Sequence, residues 1–380
     1  MSDRGEAARL ADDAIALHVG VHKTGTTAVQ TSLARSRDVL LEHGVRYPGT
    51  LMAHRDIASS ALQRPLGWRT DGARPPDPHL WQQTVRQAQH WGGRTLISSE
   101  FLSEADDAQV DRITAQVGTD RLHVLITLRN FGRLLPSAWQ QNLKSGFQTP
   151  FPDWLRRMLF DEDEATLNTV FWRRHRHDRL VRRWARAIGA QNVTVIVVDE
   201  SDRLGIFRAF EQLLDLPANT LAQHAGAVTN RSMTMPEAAF LRRLNLAVGG
   251  SSGWSAYRHG LHDGLEKGLV EGRTPPADEP RLTLPDWAAD RAAQFGAEFA
   301  DAISDSGVRV LGDLDVLRAR ASSSAVEQAE PEDVPVEAAI AAVLGVLGVA
   351  ARSRPPIRSL PARVGARLRR VRRYLPARQG

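Results

Sequence analysis

The sequence predicts an α/β fold, with a mostly parallel central sheet flanked by helices, and three observations point to it. Short apolar runs recur along the chain, helix-like stretches separate them, and the first run ends in glycine directly before a helical period. Ala14 to Gly20 (AIALHVG) lacks the polar alternation of a half-exposed strand, as expected when both faces of a parallel strand are covered. The residues after Thr26 (TAVQTSLARSRDVLLEHG) read as the helix that follows it. Further strands are expected at Arg94 to Ser98 (RTLIS), Leu122 to Leu128 (LHVLITL) and Asn192 to Val198 (NVTVIVV), with helix-like sequence at Asp106 to Val117 and His177 to Ile188. In such sheets functional groups collect beyond the carboxyl ends of the strands.

Two stretches read as loops or insertions that face a substrate, Gln63 to Pro78 and Trp254 to Pro285. After Leu317 the sequence RARASSSAVEQAEPEDVPVE carries prolines and no hydrophobic period. The expected organisation is therefore a main domain over 1–320, a flexible linker over 321–336 and an apolar, arginine-rich tail over 337–380. No internal repeat is present.

With 380 residues, 42% of them hydrophobic, the chain can fill a sizeable core, which excludes disorder throughout. It has no cysteine, so disulfide scaffolds, thiolate metal sites and cysteine nucleophiles are excluded as well. The net charge of +5 hides a partition: from Arg352 onward there are ten arginines and no acidic residue, and removing ten from +5 leaves −5 for residues 1–351. The charged N-terminal stretch MSDRGEAARLADDA does not read as a signal peptide or anchor, and no run reaches the roughly 20 apolar residues of a membrane span. A cytoplasmic protein is expected, peripheral to the inner face of the membrane if its tail binds there.

The most informative segment is Gly20-Val21-His22-Lys23-Thr24-Gly25-Thr26-Thr27, between the first strand and the first helix. Backbone N–H groups in such a loop converge on an oxyanion, and the positive end of the helix dipole reinforces them. The layout is that of a P-loop with one departure: the lysine precedes the second glycine, and Thr26 holds its usual place. That argues against an ordinary nucleotide hydrolase. A second segment, LITLRNFGRLLPSAWQQNLKSG, sets Arg129 at a strand end and Ser137 eight residues on, in the next helix.

HKTGTT, from His22 to Thr27, resembles the 5′-phosphosulfate loop of the sulfotransferases that use 3′-phosphoadenosine 5′-phosphosulfate (PAPS), of the carbohydrate and heparan type. Arg129 and Ser137 resemble the pair with which that family binds the cofactor's 3′-phosphate, a guanidinium fork completed by a hydroxyl. The resemblance covers roughly Ile15 to Asp215 and implies a P-loop-like, three-layer fold. It implies transfer of a sulfuryl group from PAPS to a hydroxyl of a glycan, glycolipid or small metabolite. Lys23 would serve the bridging oxygen, and His22, Lys23, Thr24, Gly25, Thr26 and Thr27 would hold the 5′-phosphate. Asn230-Arg231-Ser232 resembles a cofactor-closing loop, so Arg231 is a further binding candidate; a helix N-cap at Ser232 or Thr234, with Glu237, is the other reading. LVRRWARAIGAQNVTVIVVDE matches a late helix and strand of the family, and Trp184 reads as core.

The acceptor's proton needs a base, and the sequence leaves it open among Glu100, in LISSEFLS, His22 and His54. Glu100 lies just past an expected strand end, although a carboxylate at a helix N-terminus is an equally simple reading. His175 and His177, in arginine-rich sequence, are expected to be solvated. No HExxH, HxxEH or GxSxG spacing occurs, and no metal is expected. The rivals are a P-loop-type phosphotransferase, with Asp199 as metal ligand, and a non-catalytic membrane-associated nucleotide-binding protein. The arginine-rich end, interleaved with Ile, Leu, Val and Tyr, fits an anionic membrane surface or a solubilising tail better than nucleic acid. The oligomeric state is not legible.

Overall fold

The computed structural model of the protein describes residues 9–66, 76–161, 169–227, 231–248 and 262–353. Parts of the two expected insertions, Asn230 and the arginine-rich end from 354 on lie outside the described residues. Six strands form one sheet: β1 (Ile15–Gly20), β2 (Val45–Arg46), β3 (Arg94–Ser98), β4 (Leu122–Arg129), β5 (Val193–Val198) and β7 (Arg309–Leu311), with β6 (Leu284–Pro285) and β8 (Ser323–Ser324) paired separately. The order is β2-β3-β1-β4-β5-β7 and every pairing in it is parallel. The expected α/β architecture is therefore present. Its edge strands, two and three residues long, are too short to stand out in sequence.

The helices are α1 (Thr26–Arg35), α2 (Arg37–Glu42), α3 (Arg55–Leu62), α4 (Leu80–His90), α5 (Asp107–Val117), α6 (Phe131–Leu143), α7 (Phe151–Phe160) and α8 (Thr169–His175). They continue as α9 (His177–Ile188), α10 (Gly205–Leu214), α11 (Met235–Val248), α12 (His262–Val270), α13 (Asp286–Asp305), α14 (Asp315–Arg318) and α15 (Val336–Ser353). Strand alternation divides the core into two layers. Leu17, Val124 and Val195 point to the face covered by α6, α9 and α13, while Ala16, Leu125 and Ile196 point to the face covered by α1 and α10. The first face holds an aromatic cluster in which Phe131 meets Trp172, Phe295 and Phe299 at centroid distances of 5.9, 5.7 and 5.7 Å. Such rings each contribute on the order of 1.5–3 kcal/mol of burial. Trp184 is fully buried with them, as expected.

From β1 the chain runs first to β2 and β3 on one side, then crosses to β4 on the other. That reversal opens a crevice above the carboxyl ends of β1, β3 and β4.

Two expectations require correction. Residues 321–336 do not form a free linker: Ala321 is buried, Ser323 and Ser324 pair with β6, and Glu327 and Glu330 are bound by Arg156 and Arg242 at 2.6 and 2.7 Å. Acidic, serine-rich composition reads as solvated, but the carboxylates of Glu327 and Glu330 find arginines supplied by other elements. His175 and His177 are buried, not solvated. The arginines of α9 occupy one face, and His177, Leu180, Val181, Trp184 and Ile188 form the stripe that meets the core.

Burial holds several imidazoles neutral, pushing His18 down to about 3 and His54, His123 and His177 down to about 4. Their folded values lie below the unfolded 6.5, so the unfolded chain takes up these protons first and stability is complete above that pH. On acidification from 6.5 to 4, each group draws away up to about 1.4 kcal/mol per pH unit. The urea midpoint is therefore expected to drop steeply over this interval; a flat profile from pH 7 to about 4.5 would contradict the buried, neutral state.

Candidate active site

The loop after β1 owes its path to one close approach. Gly20 has φ +79, and a Cβ built on it would lie 2.7 Å from Cβ of Glu100 and 2.8 Å from its Cα. Only glycine lets the Glu100–Glu104 turn cross the end of β1 there. Beyond it the Val21 N–H donates to the Thr127 carbonyl at 2.8 Å, which ties the loop to β4. Lys23 (φ 67) and Gly25 (φ 82) both take left-handed conformations, so the backbone turns sharply twice before α1. A left-handed lysine is strained, and such strain is found where a side chain must be aimed. No side chain caps the N-terminus of α1, whose first N–H groups and dipole therefore face the loop.

Above this loop lies a cleft of about 560 Å³. The loop and α1 contribute His22, Lys23, Gly25, Thr26 and Thr27 to its wall, the end of β3 contributes Glu100, and β4 and α6 contribute Arg129 and Ser137. Arg231 lies on the rim opposite. His54 and the rival reading's Asp199 apart, the fold thus brings nine of the ten residues singled out from sequence to one place. The tenth, Thr24, has a side chain that does not line the cleft: it is fully buried, donating its hydroxyl to the Val21 carbonyl at 2.7 Å and meeting Thr127 Oγ1 at 2.7 Å. Its side chain supports the loop from below.

The cleft is electrostatically tense. Burial, with Lys144 nearby, lowers the Lys23 ammonium to about 8, against the opposing pull of Glu266 and Glu100. Lys23 Nζ donates to Gln141 Oε1 at 2.7 Å. Arg129 donates to the Lys23 carbonyl at 3.2 Å and pairs with Glu200, which also accepts from Arg133 Nη1 at 3.1 Å. Arg231 is engaged elsewhere, forked onto Glu237 at 2.7 and 2.8 Å and donating to the carbonyls of Leu269 and Arg273. Burial by itself would raise the Glu237 carboxyl, but hydrogen bonds from Arg231, the Thr234 N–H and Arg273 hold it below its ordinary value. The capping alternative falls on Thr234, whose Oγ1 accepts from the Glu237 N–H at 3.4 Å while its own N–H donates to Glu237 at 2.9 Å.

The three base candidates separate clearly. His54 has both ring nitrogens committed, Nε2 to the Pro48 carbonyl at 2.9 Å and Nδ1 to the Ser98 N–H at 3.0 Å, so it pins the end of β3. His22 is buried against Glu104 (3.6 Å) and the edge of Phe101; burial and Arg174 lower its pKa, against the opposing pull of Glu104 and Glu100. Glu100 faces the cleft, and Gln30 Nε2 donates to one of its oxygens at 3.1 Å.

Sequence reasoning missed what holds these groups. His18 is hidden in the apolar run of β1, and its neutral ring bridges Ser98 Oγ (2.8 Å) and Thr127 Oγ1 (3.2 Å). Thr127 joins Thr24 of the loop, and Ser98 joins Gln30, which holds Glu100. One buried chain of hydrogen bonds therefore connects the loop to the carboxylate. Gln141 and Lys144 were missed too, although they follow Ser137 at helical spacing on the inner side of α6. Lys144 pairs with Glu266 of α12. Asp199, the metal ligand a phosphotransferase would use, is exposed and accepts from the Ser201 N–H at 2.8 Å. Among the described residues no three His, Asp or Glu side chains gather as a metal site.

Thr127→Val keeps the shape of the residue but removes the oxygen shared by Thr24 and His18. The unfolding free energy is expected to fall by about 1–3 kcal/mol, with Thr127→Ser recovering most of it. Equal stability of all three proteins in denaturant would show that the chain of hydrogen bonds carries no weight.

No family model matches the chain, and no curated protein sequence matches it. Among solved structures, the chain is similar to a sulfotransferase from Alicyclobacillus acidocaldarius, with 13% sequence identity, a TM-score of 0.46, and coverage of 80% of this chain and 99% of that one.

Proposed function

We propose that this protein is a sulfotransferase, moving a sulfuryl group from PAPS to a hydroxyl of a glycan, glycolipid or small metabolite. The observation that carries the reading is the meeting, in one cleft, of the Lys23 loop at the end of β1 with Arg129 and Ser137 from β4 and α6. Two anion stations on adjacent parallel strands suit a ligand with a phosphate at each end of a nucleoside. The room is adequate, since 560 Å³ falls within the roughly 300–1,000 Å³ of small-molecule sites. The donors suit it as well: an ammonium, a guanidinium, a hydroxyl and loop N–H groups.

PAPS, when bound, supplies the sulfuryl group and departs as 3′,5′-ADP. Gly25, Thr26 and Thr27 hold the 5′-phosphate through the loop backbone and the start of α1, and Arg129 with Ser137 holds the 3′-phosphate. Lys23 places its charge where negative charge develops on the departing oxygen. Its depressed pKa means that an approaching dianion finds a poorly compensated cation, so binding raises that pKa and strengthens the contact. Glu100 takes the acceptor's hydroxyl proton, aimed by Gln30. His22, lowered by burial, stays neutral near the loop and orients the acceptor or phosphate.

Calorimetry with 3′,5′-ADP tests the reading directly. Arg129→Ala is expected to weaken binding by at least about tenfold, as loss of a charge-assisted contact requires. Unchanged affinity, or a preference for ATP with Mg²⁺, would overturn the proposal in favour of a phosphotransferase. Affinity of the wild type is also expected to decline as pH rises through about 8, where Lys23 loses its proton, and that decline should vanish in Lys23→Met. For the base, Glu100→Gln is expected to lower turnover on an acceptor by about 100-fold or more while 3′,5′-ADP affinity is kept.

A further inference from the structure

Helix α15 has two unlike faces. Inward, Ala338, Ala341 and Ala342 are buried, and the helix meets α12 backbone to backbone. A Cβ on Gly345 would collide with the Gly264 carbonyl oxygen, and one on Gly268 would collide with that of Ala341. Outward, Val336, Ile340, Val343, Leu344 and Leu347 are exposed, at 67, 54, 55, 61 and 58%. Their spacing places all five on one stripe of the helix. Single exposed aliphatics are ordinary on a protein surface, but a continuous row marks a surface that is covered in use.

The sequence from the end of α15 onward identifies the cover. Ten arginines and no acidic residue occupy positions 352–380, interleaved with Ile357, Leu360, Val364, Leu368 and Val371. We infer that the outer face of α15 docks on an anionic lipid bilayer, lying in the plane of the interface, with the arginines drawn to the lipid headgroups. An exposed aliphatic face adjoining a basic segment combines the two forces that stable peripheral binding requires, apolar burial and attraction to anionic lipid. No helix among the described residues is long and apolar enough to cross a membrane, in agreement with a helix that lies on the surface. A second copy of the chain suits the stripe less well, since it would bring two tails of +10 side by side. Nucleic acid would leave the aliphatic row without a partner.

The full chain is mixed with phosphatidylcholine vesicles, with and without roughly a third phosphatidylglycerol, and floated on a density gradient. Expected are co-flotation with the anionic vesicles, release by high salt, and affinity at least about tenfold lower for phosphatidylcholine alone. The triple change Ile340→Ser, Leu344→Ser and Leu347→Ser is expected to weaken binding at least about tenfold with an unaltered melting curve. Changing Arg369, Arg370, Arg372 and Arg373 to Gln should weaken it comparably. Equal binding to neutral vesicles, or a triple variant that floats like the wild type, overturns the inference. So does a dimer in sedimentation velocity that the triple change disperses, with no flotation, because a second copy then covers the stripe.

Discussion

The turn at Glu100–Glu104 passes so close over the end of β1 that position 20 has no room for a side chain, and the site depends on that approach. It sets a carboxylate from the end of β3 beside a cationic loop that leaves β1. It also forces the chain out of β1 in a left-handed turn, the first of those that aim Lys23 and free the N-terminus of α1. Beneath the same crossing, His18 joins the hydroxyls of Ser98 and Thr127, so the three strands at the sheet's reversal are bound to one another by side chains as well as by their ladders. A buried histidine kept neutral by desolvation is suited to this, because it donates at one nitrogen and accepts at the other.

Charge in the cleft is arranged on the opposite plan. The buried polar chain is satisfied along its length, whereas the groups that face the cleft compete with like charges. Burial and then Lys144 disfavour the charge of Lys23, and Glu266 and Glu100 only partly offset them. Glutamates brace the cations: Glu200 holds Arg129, Glu237 holds Arg231, and Glu266, itself on the cleft wall, holds Lys144. An anion entering the cleft therefore meets cations that are already oriented, and little ordering is needed on binding. A body of net negative charge can thus present a cationic cleft: a few placed cations decide local potential, and the overall sum does not.

The helices that complete the cleft are tied to the end of the described chain. α12 carries Glu266 and Val270 to the cleft wall and gives its glycines to α15. Residues 321–336 reach that helix pair by strapping across the body through Arg156, Arg242 and Arg243. The C-terminal part of the protein is thus packed into its architecture up to α15, with one aliphatic face left outward.

The sequence by itself determined the four long strands and the loop. Apolar runs that lack alternation, flanked by helical periods, specify buried parallel strands, and the order of glycine, lysine and threonine after β1 specifies a local turn before a helix. Local features of this kind need no knowledge of the rest of the chain. Arg129 and Ser137 stood out only through their resemblance to a known family's pair, because an arginine at a strand end and a serine on the next helix are by themselves an ordinary surface pattern. Only the tertiary structure decided which side chains face the cleft and which support it. Thr24 turns inward to Thr127, His54 commits both nitrogens to backbone, Arg231 is held by Glu237, and the arginine-rich helix α9 buries His177. Each of these outcomes is set by a partner between 6 and 103 residues away, or by the packing of another helix, and a side chain's direction and protonation follow from such neighbours more than from its own segment.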